Sequence, residues 1–464
     1  MPAIRGKQEV AALTRAFATR YKIVEYLDGL YMPVDFLTLD PLPASPDRTV
    51  WKHLSDRVLR GIANGMLDIL FTSDSEERSF KLMLKQYSQP VQAVSSILVR
   101  IRDERVMLLN NEGNLEAATG DFSPNYLNVP YDENNPFNDI LYATISEWVG
   151  GDEQAESLLN HLATALQPLW SAVKYILLIG EGRNGKSTLL KMITALFGED
   201  NISNITRQAM AAQSPIISTL NGKLLNVVFD GPKEFIKDSH VEKSVIAGDR
   251  LMIEMKYENA PKLIHTTALF IEGLQQEPKV SDKSPALQKR LVRYHFGKVY
   301  DLDLAFEEKM LQPQMIAAFL HLLLQHWVMK DEVATKLALT AESLDMQLNA
   351  VWSNSPVMRF LEWIGPRQSS FLMDLQNSKI MVETFLTSFR TWMESNGYRN
   401  VEDDYMLQLL KDHFVTDRKT FRVQGVPSSR RYIKRVLPDT MNAINLLLQG
   451  HSLDEMEEIE VLED

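Results

Sequence analysis

The chain of 464 residues has no cysteine. That excludes disulfides, thiol catalysis and cysteine-ligated zinc, and it suits a reducing cytoplasm, the expected location. Long hydrophobic runs are missing as well. The greasiest stretch, Met315 to Trp327, carries His321 and His326. It falls short of the roughly 20 apolar residues that cross a bilayer and reads as a buried helix, so no membrane partner is expected. Residues Met1 to Lys7 lack the apolar core of a signal peptide, and no secretory leader is expected. Positive charge is scarce: 49 Lys and Arg stand against 61 Asp and Glu, a formal net charge of −12. That balance excludes a surface that grips nucleic acid all over. A local basic loop stays open, because only the contacted region has to neutralise phosphates. The nine histidines are scattered without ligand spacing, so no structural metal is expected. Neither an internal repeat nor a low-complexity block is present.

What is there centres on residues Gly180 to Thr188, Gly-Glu-Gly-Arg-Asn-Gly-Lys-Ser-Thr. They follow the apolar run Tyr175 to Ile179 and lead into a helix-like stretch at Leu189 to Ile193. This is the complete G-x-x-x-x-G-K-[ST] phosphate-binding loop between a strand and a helix. Backbone N–H groups of such a turn, with the helix N-terminus behind them, favour phosphate oxygens. Its glycines permit positive φ and close approach of the backbone. Gly180, Gly182, Asn184, Gly185, Lys186, Ser187 and Thr188 are the expected nucleotide-binding set, with ATP and Mg²⁺ as cofactors. Lys186 would reach the β- and γ-phosphates and Ser187 would offer its hydroxyl to Mg²⁺. A second apolar run, Lys223 to Phe229, ends at Asp230, which is placed to hold the Mg²⁺ shell beside the loop. The water-activating base is left between Glu234 and Asp230 itself, and Glu234 reads equally well as a surface carboxylate.

Apolar strands alternating with helices through this region imply an α/β core with a mainly parallel sheet. Further strands are expected at Leu251 to Tyr257, Leu263 to Glu272 and Leu291 to Phe296. The patterns divide the chain into an α+β N-terminal domain rich in helix (1–134), a helical collar or linker (135–170), the ATPase core (171–300), a helical segment (301–346), a small winged-helix-like domain (347–452) and an acidic tail (453–464). Trp51 to Leu70 has helical apolar spacing, Arg100 to Asn110 reads as strand, and Tyr126 to Phe137, rich in Asn and Pro, reads as a connector. Two helices over 138–168 are broken at Gly150-Gly151, with Asp152 as a cap. The tail reads as a solvated end or as a docking segment for a basic partner.

Downstream of Asp230 the run Val241 to Arg250, Val-Glu-Lys-Ser-Val-Ile-Ala-Gly-Asp-Arg, is followed by Met255-Lys256-Tyr257 and Pro261-Lys262-Leu263. Gln275-Gln276-Glu277-Pro278 comes next, then Asp282-Lys283-Ser284 and Ala286 to Leu291 with Lys289-Arg290. In this order, and with the segments Asn110 to Asp121 and Leu127 to Asp132 upstream, the chain resembles superfamily 3 replicative helicases. The likeness is strongest to the branch of poxvirus and phage or plasmid primase-helicases, and it spans about residues 100–300 well. The resemblance implies an AAA+ ATPase that assembles as a homo-oligomeric ring, usually a hexamer, around single-stranded or forked DNA, with ATP between subunits. It implies that Arg290 is an arginine finger on the neighbour's γ-phosphate, that Gln275 stands at the sensor position, and that Lys256 or Lys262 lines the central channel. Lys243 would lie near the subunit interface and Asp249 would hold the strand-pair geometry.

Two departures stand out against the family pattern. The sensor Asn is Gln275, and the usual acidic pair is Asp230-Gly231, so slow or partner-dependent hydrolysis is expected. Positive charge concentrates at Arg418 to Arg422 and at Arg430 to Arg435, with interleaved aromatics. Arg430 and Arg431 are the candidate DNA contacts there, against the plainer reading of a solvated wing hairpin. No paired-carboxylate strand marks a primase in the first 100 residues, so a separate primase or polymerase partner is expected. The leading expectation is an ATP-dependent DNA helicase acting in replication of a phage, virus or mobile element. The alternative on the same fold is an ATP-gated initiator or loader. A small-molecule phosphotransferase is disfavoured, since no arginine-rich lid follows Asp230.

Overall fold

The computed structural model describes residues 7–27, 29–36, 48–71, 73–91, 94–120, 122–232, 236, 239–254, 261–277, 280, 285–301, 303–344, 346–347, 355–378, 380–396, 403–411, 413–423 and 426–449. They form two compact units, Met1–Gln347 and Leu348–Asp464. Among the described residues no helix is long and apolar enough to cross a membrane.

The first unit opens with the helix Lys7–Arg20 and a sheet of strands β1 (Val24–Tyr26), β2 (Gly29–Asp35), β3 (Thr49–His53) and β4 (Gln89–Pro90), in the order β3-β2-β1-β4. Trp51, expected in a helix, lies in β3 opposite Pro33. The helix starts instead at Asp56, where the Ser55 hydroxyl accepts from the Val58 N–H at 3.4 Å and fixes the first turn. A second sheet holds β5 (Ile97–Ile101), β6 (Val106–Leu109), β7 (Leu115–Ala117) and β8 (Tyr126–Tyr131), ordered β7-β6-β5-β8. The strand region expected at Arg100 to Asn110 holds the end of β5, a turn and β6, which pair as a hairpin. The expected connector begins as a strand, because Leu127 and Val129 alternate into the core on either side of the exposed Asn128.

Two helices follow, Asn138–Val149 and Asp152–Ala163, and Gly150 takes the left-handed conformation between them (φ 89°). Asp152 does not cap the second helix through its side chain; it accepts a 2.6 Å hydrogen bond from the Ser146 hydroxyl and so ties the two helices together.

The core sheet is wholly parallel. Its strands are β9 (Tyr175–Ile179), β10 (Ile202–Ser203), β11 (Leu225–Val228), then, after a small antiparallel pair β12 (Leu251–Ile253) and β13 (Lys262–Ile264), β14 (Leu269–Leu274) and β15 (Leu291–His295). The order β10-β11-β14-β9-β15 puts the loop-bearing strand β9 between β14 and β15. The run expected as one strand, Leu263 to Glu272, is split in two, and β14 continues to Leu274. Every side chain of β11 and β14 is buried, as a central parallel strand requires. One face packs Leu178, Ile271 and Val292 on the helix Lys186–Phe197; the other packs Leu177, Phe270 and Leu291 on residues of the helix His240–Ala247. The apolar helix at Pro313–Gln325 lies in the first of these clusters, with Phe319 and Leu320 fully buried.

The second unit has helices Pro356–Ile364, Ser369–Gln376, Val382–Ser395 and Asp403–Lys411, a long hairpin of β16 (Phe414–Val423) and β17 (Val426–Val436), and the helix Pro438–Gln449. Its core is aromatic: Phe360 meets both Phe385 and Phe389 with ring centroids 5.3 Å apart. The acidic tail lies outside the described residues.

Candidate nucleotide-binding site

The loop is held open by its own bonds. The Gly180 N–H donates to Leu274 O at 3.1 Å, which anchors the loop to the end of β14. Asn184 is buried, and its Nδ2 donates to Phe296 O at 2.8 Å just past β15. Gly185 adopts φ 92°, and a Cβ there would stand 2.7 Å from the Trp148 indole, so conformation and packing both require glycine. The following helix starts at Lys186 with no side-chain cap, leaving its first N–H groups directed at the loop.

Lys186 is mostly buried. Its Nζ donates to Gly180 O at 2.6 Å and to Asn184 Oδ1 at 2.9 Å. Burial pulls its pKa down, while the carboxylate of Asp230 acts in the opposite sense. That attraction places Asp230, exposed just beyond β11, within electrostatic reach of the loop. Ser187 is exposed beside it. A serine hydroxyl and one carboxylate are hard oxygen donors of the kind Mg²⁺ takes together with phosphates and water, so these residues fit that ion.

The other candidates are distributed as follows. Gln275 is exposed immediately after β14, on the same sheet edge as the loop. Glu234 and Lys256 lie outside the described residues. Lys262 opens β13 opposite Ile253. Arg431 is half-buried in β17 opposite Arg418, and Arg430 pairs in register with Lys419. Arg290 is not brought to the loop of its own chain. It sits before β15, its O accepts from the Tyr175 N–H at the start of β9, and its guanidinium donates to Ala286 O. The loop leaves the other end of β9. Five residues of strand, about 16 Å at roughly 3.3 Å each, lie between them.

A recess of about 560 Å³ adjoins the loop, lined by Gly182 to Thr188 and walled by Trp148, Tyr300 and Phe306. It is within the size range of small-ligand pockets. The Tyr300 N–H donates to Arg183 O at 2.8 Å and pins the wall to the loop. Phe306 keeps 37% of its surface exposed at the mouth and meets Trp148 edge-on. Sequence reading missed these three aromatics; they come from two helices and a connector, and nothing in their spacing joins them.

A buried polar cluster underlies the opposite face. Arg207 and Glu242 form a 2.6 Å ion pair with no exposure of either side chain. Glu272 in β14 accepts from the Tyr175 hydroxyl at 3.3 Å. Burial pushes its carboxyl up to about 7, against the pull of Arg207. A charged residue inside an otherwise apolar central strand was the available sequence signal.

Loop, sheet and recess define a mixed α/β protein with a glycine-rich loop at the C-terminal edge of a parallel sheet. A family of unknown function, DUF5906, matches residues 178–275, from the end of β9 to Gln275. Among solved structures, one of the NrS-1 C-terminal region is 14% identical, covering 91% of this chain and 98% of that one at a TM-score of 0.47. Another of the same region (305–718) is 12% identical, covering 92% and 99% at a TM-score of 0.49. A JCV helicase is 13% identical over 48% of this chain and 65% of that one, at a TM-score of 0.27.

Proposed function

We propose that the protein is an ATP-dependent DNA helicase of the superfamily 3, AAA+ type, working as a ring-forming homo-oligomer on single-stranded or forked DNA. Lys186 holds the β- and γ-phosphates, Ser187 and Asp230 hold Mg²⁺, and Gln275 lies toward the γ-phosphate. Mg²⁺ would neutralise charge developing on the transferred phosphoryl group. Lys186 is already desolvated, so it meets the phosphates without first shedding a full water shell. The base of the nucleotide stacks against the aromatic wall of the recess.

The observation that carries the reading is the separation of Arg290 from its own loop along the sheet. An arginine finger held at the far strand end can complete a hydrolytic site only in a second copy of the chain. The hairpin supports a nucleic-acid partner: Arg418 faces Arg431 across the strands, and like charges directly opposite one another are unfavourable until an anion neutralises them. The helices Val382–Ser395 and Asp403–Lys411 ahead of the long hairpin suit a winged-helix domain.

The test is strand displacement on a forked duplex together with ATPase measured with and without single-stranded DNA. Displacement and stimulation, both lost in Lys186→Ala, are expected. Stimulation without displacement would leave the initiator or loader reading, and neither response would end both. Binding should also separate base from phosphate. Phe306→Ala is expected to weaken ATP by about 10-fold, in the range of one aromatic stacking contact, while inorganic triphosphate binds as before. Calorimetry with the two ligands reads the difference.

A further inference from the structure

The strand end that carries Asp230 continues with Gly231, where an acidic pair would place a second carboxylate. The space for that side chain is not empty. The Gly231 N–H donates to Gly273 O at 2.9 Å, which draws the turn onto β14. A Cβ built on Gly231 would overlap Glu272 Oε1 and stand 2.6 Å from Glu272 Cδ and from Leu274 Cδ2. Glu272 is only 1% exposed, and its other oxygen is held by the Tyr175 hydroxyl. Arg207 stacks at 5.8 Å from the Tyr175 ring and is paired with Glu242, so the carboxyl has a fixed polar seat on one side and the Gly231 backbone on the other.

We propose that Glu272 is the positioning residue of this strand end: its carboxyl, supplied by the neighbouring strand, takes the place of the side chain missing at Gly231 and sets where Asp230 stands relative to the loop. The proposal rests on the nucleotide-binding reading given above. The exchange has a geometric logic. A carboxyl on β14 and a side chain at 231 compete for one volume, so the chain can carry only one of them. Glycine at 231 is the condition for Glu272 at 272, and the pair acts on the cation through Asp230 rather than by touching nucleotide.

Mn²⁺ in place of Mg²⁺ tests this without turnover, by paramagnetic resonance on the intact protein saturated with ADP. Residues that orient a metal ligand typically change metal affinity by about 10- to 100-fold when removed. Glu272→Ala is expected to weaken Mn²⁺ by at least about 10-fold on that scale, while ADP binding in chelator changes by less than about 2-fold. Gly231→Ala, which drives a methyl into the Glu272 carboxyl, should do the same. The double variant Gly231→Glu with Glu272→Gly moves the carboxylate to the other strand and should restore Mn²⁺ binding to within about 3-fold of the parent. Unchanged Mn²⁺ affinity in Glu272→Ala overturns the proposal, as does a parallel fall in metal-free ADP binding, which would mark general loss of structure. Failure of the nucleotide reading shows differently: Lys186→Ala would then leave ATP binding intact.

Discussion

Mixing Lys186→Ala with Arg290→Ala protein is expected to restore part of the ATPase activity that each variant lacks alone. Arg290→Ala by itself should lower kcat by about 10³- to 10⁵-fold, the range for loss of an arginine finger, with ATP affinity nearly unchanged. The reason lies in the sheet. Arg290 precedes β15 at the end where β9 begins, and Lys186 follows β9 at the end where it finishes. A guanidinium at that distance contributes nothing to phosphates on its own loop. In a mixed assembly, some interfaces combine an intact loop from the Arg290→Ala chain with an intact finger from the Lys186→Ala chain, and those sites hydrolyse. Steady-state ATPase against mixing ratio, with a maximum at intermediate ratios, checks the arrangement. Additive, flat behaviour would show that each chain hydrolyses alone.

Lys186→Ala should lower ATP hydrolysis by at least about 10²- to 10³-fold, the cost of removing one preorganised donor to developing charge. Here the loss extends to binding, because the ammonium is also structural. It bridges Gly180 O and Asn184 Oδ1, and Asn184 in turn bonds Phe296 O. Removing it leaves two buried acceptors unpaired and loosens the loop that the phosphates need. Lys186→Arg keeps charge but not the compact point geometry that fits between those oxygens, so it should recover little. Fluorescence titration with a labelled ATP and steady-state rates separate the two effects.

The loop was legible in sequence because its motif is local: glycines, lysine and serine fall within nine consecutive residues between a strand and a helix. The parallel sheet followed from apolar runs, since Tyr175 to Ile179 has no reason to be apolar on both faces unless covered twice. What was not legible depends on neighbours far apart in the chain. β8 hid in an Asn- and Pro-rich stretch because only Leu127 and Val129 face inward. The aromatic wall joins Trp148 to Phe306, which are far apart in the chain with helix, strand and turn between them. Glu272 could be singled out as a charge in an apolar strand, but its contact with Gly231 exists only through the register of β11 on β14. The departure noted at Gly231 reads differently once that register is known, since a carboxyl does stand beside the Asp230 turn.

In the proposed ring, strand β15 would have a consequence for traffic between subunits. At one end it is preceded by Arg290; at the other, Phe296 O holds Asn184 and, through it, Lys186. Held in parallel register along one side by β9, the strand does not stretch, so in the proposed ring it would act as a push-rod whose two ends serve different active sites. A shift caused by nucleotide at one subunit's loop would then be delivered, one strand-length away, to the site of the next subunit. Firing order around such a ring would be written into a single rigid element and would need no separate signal.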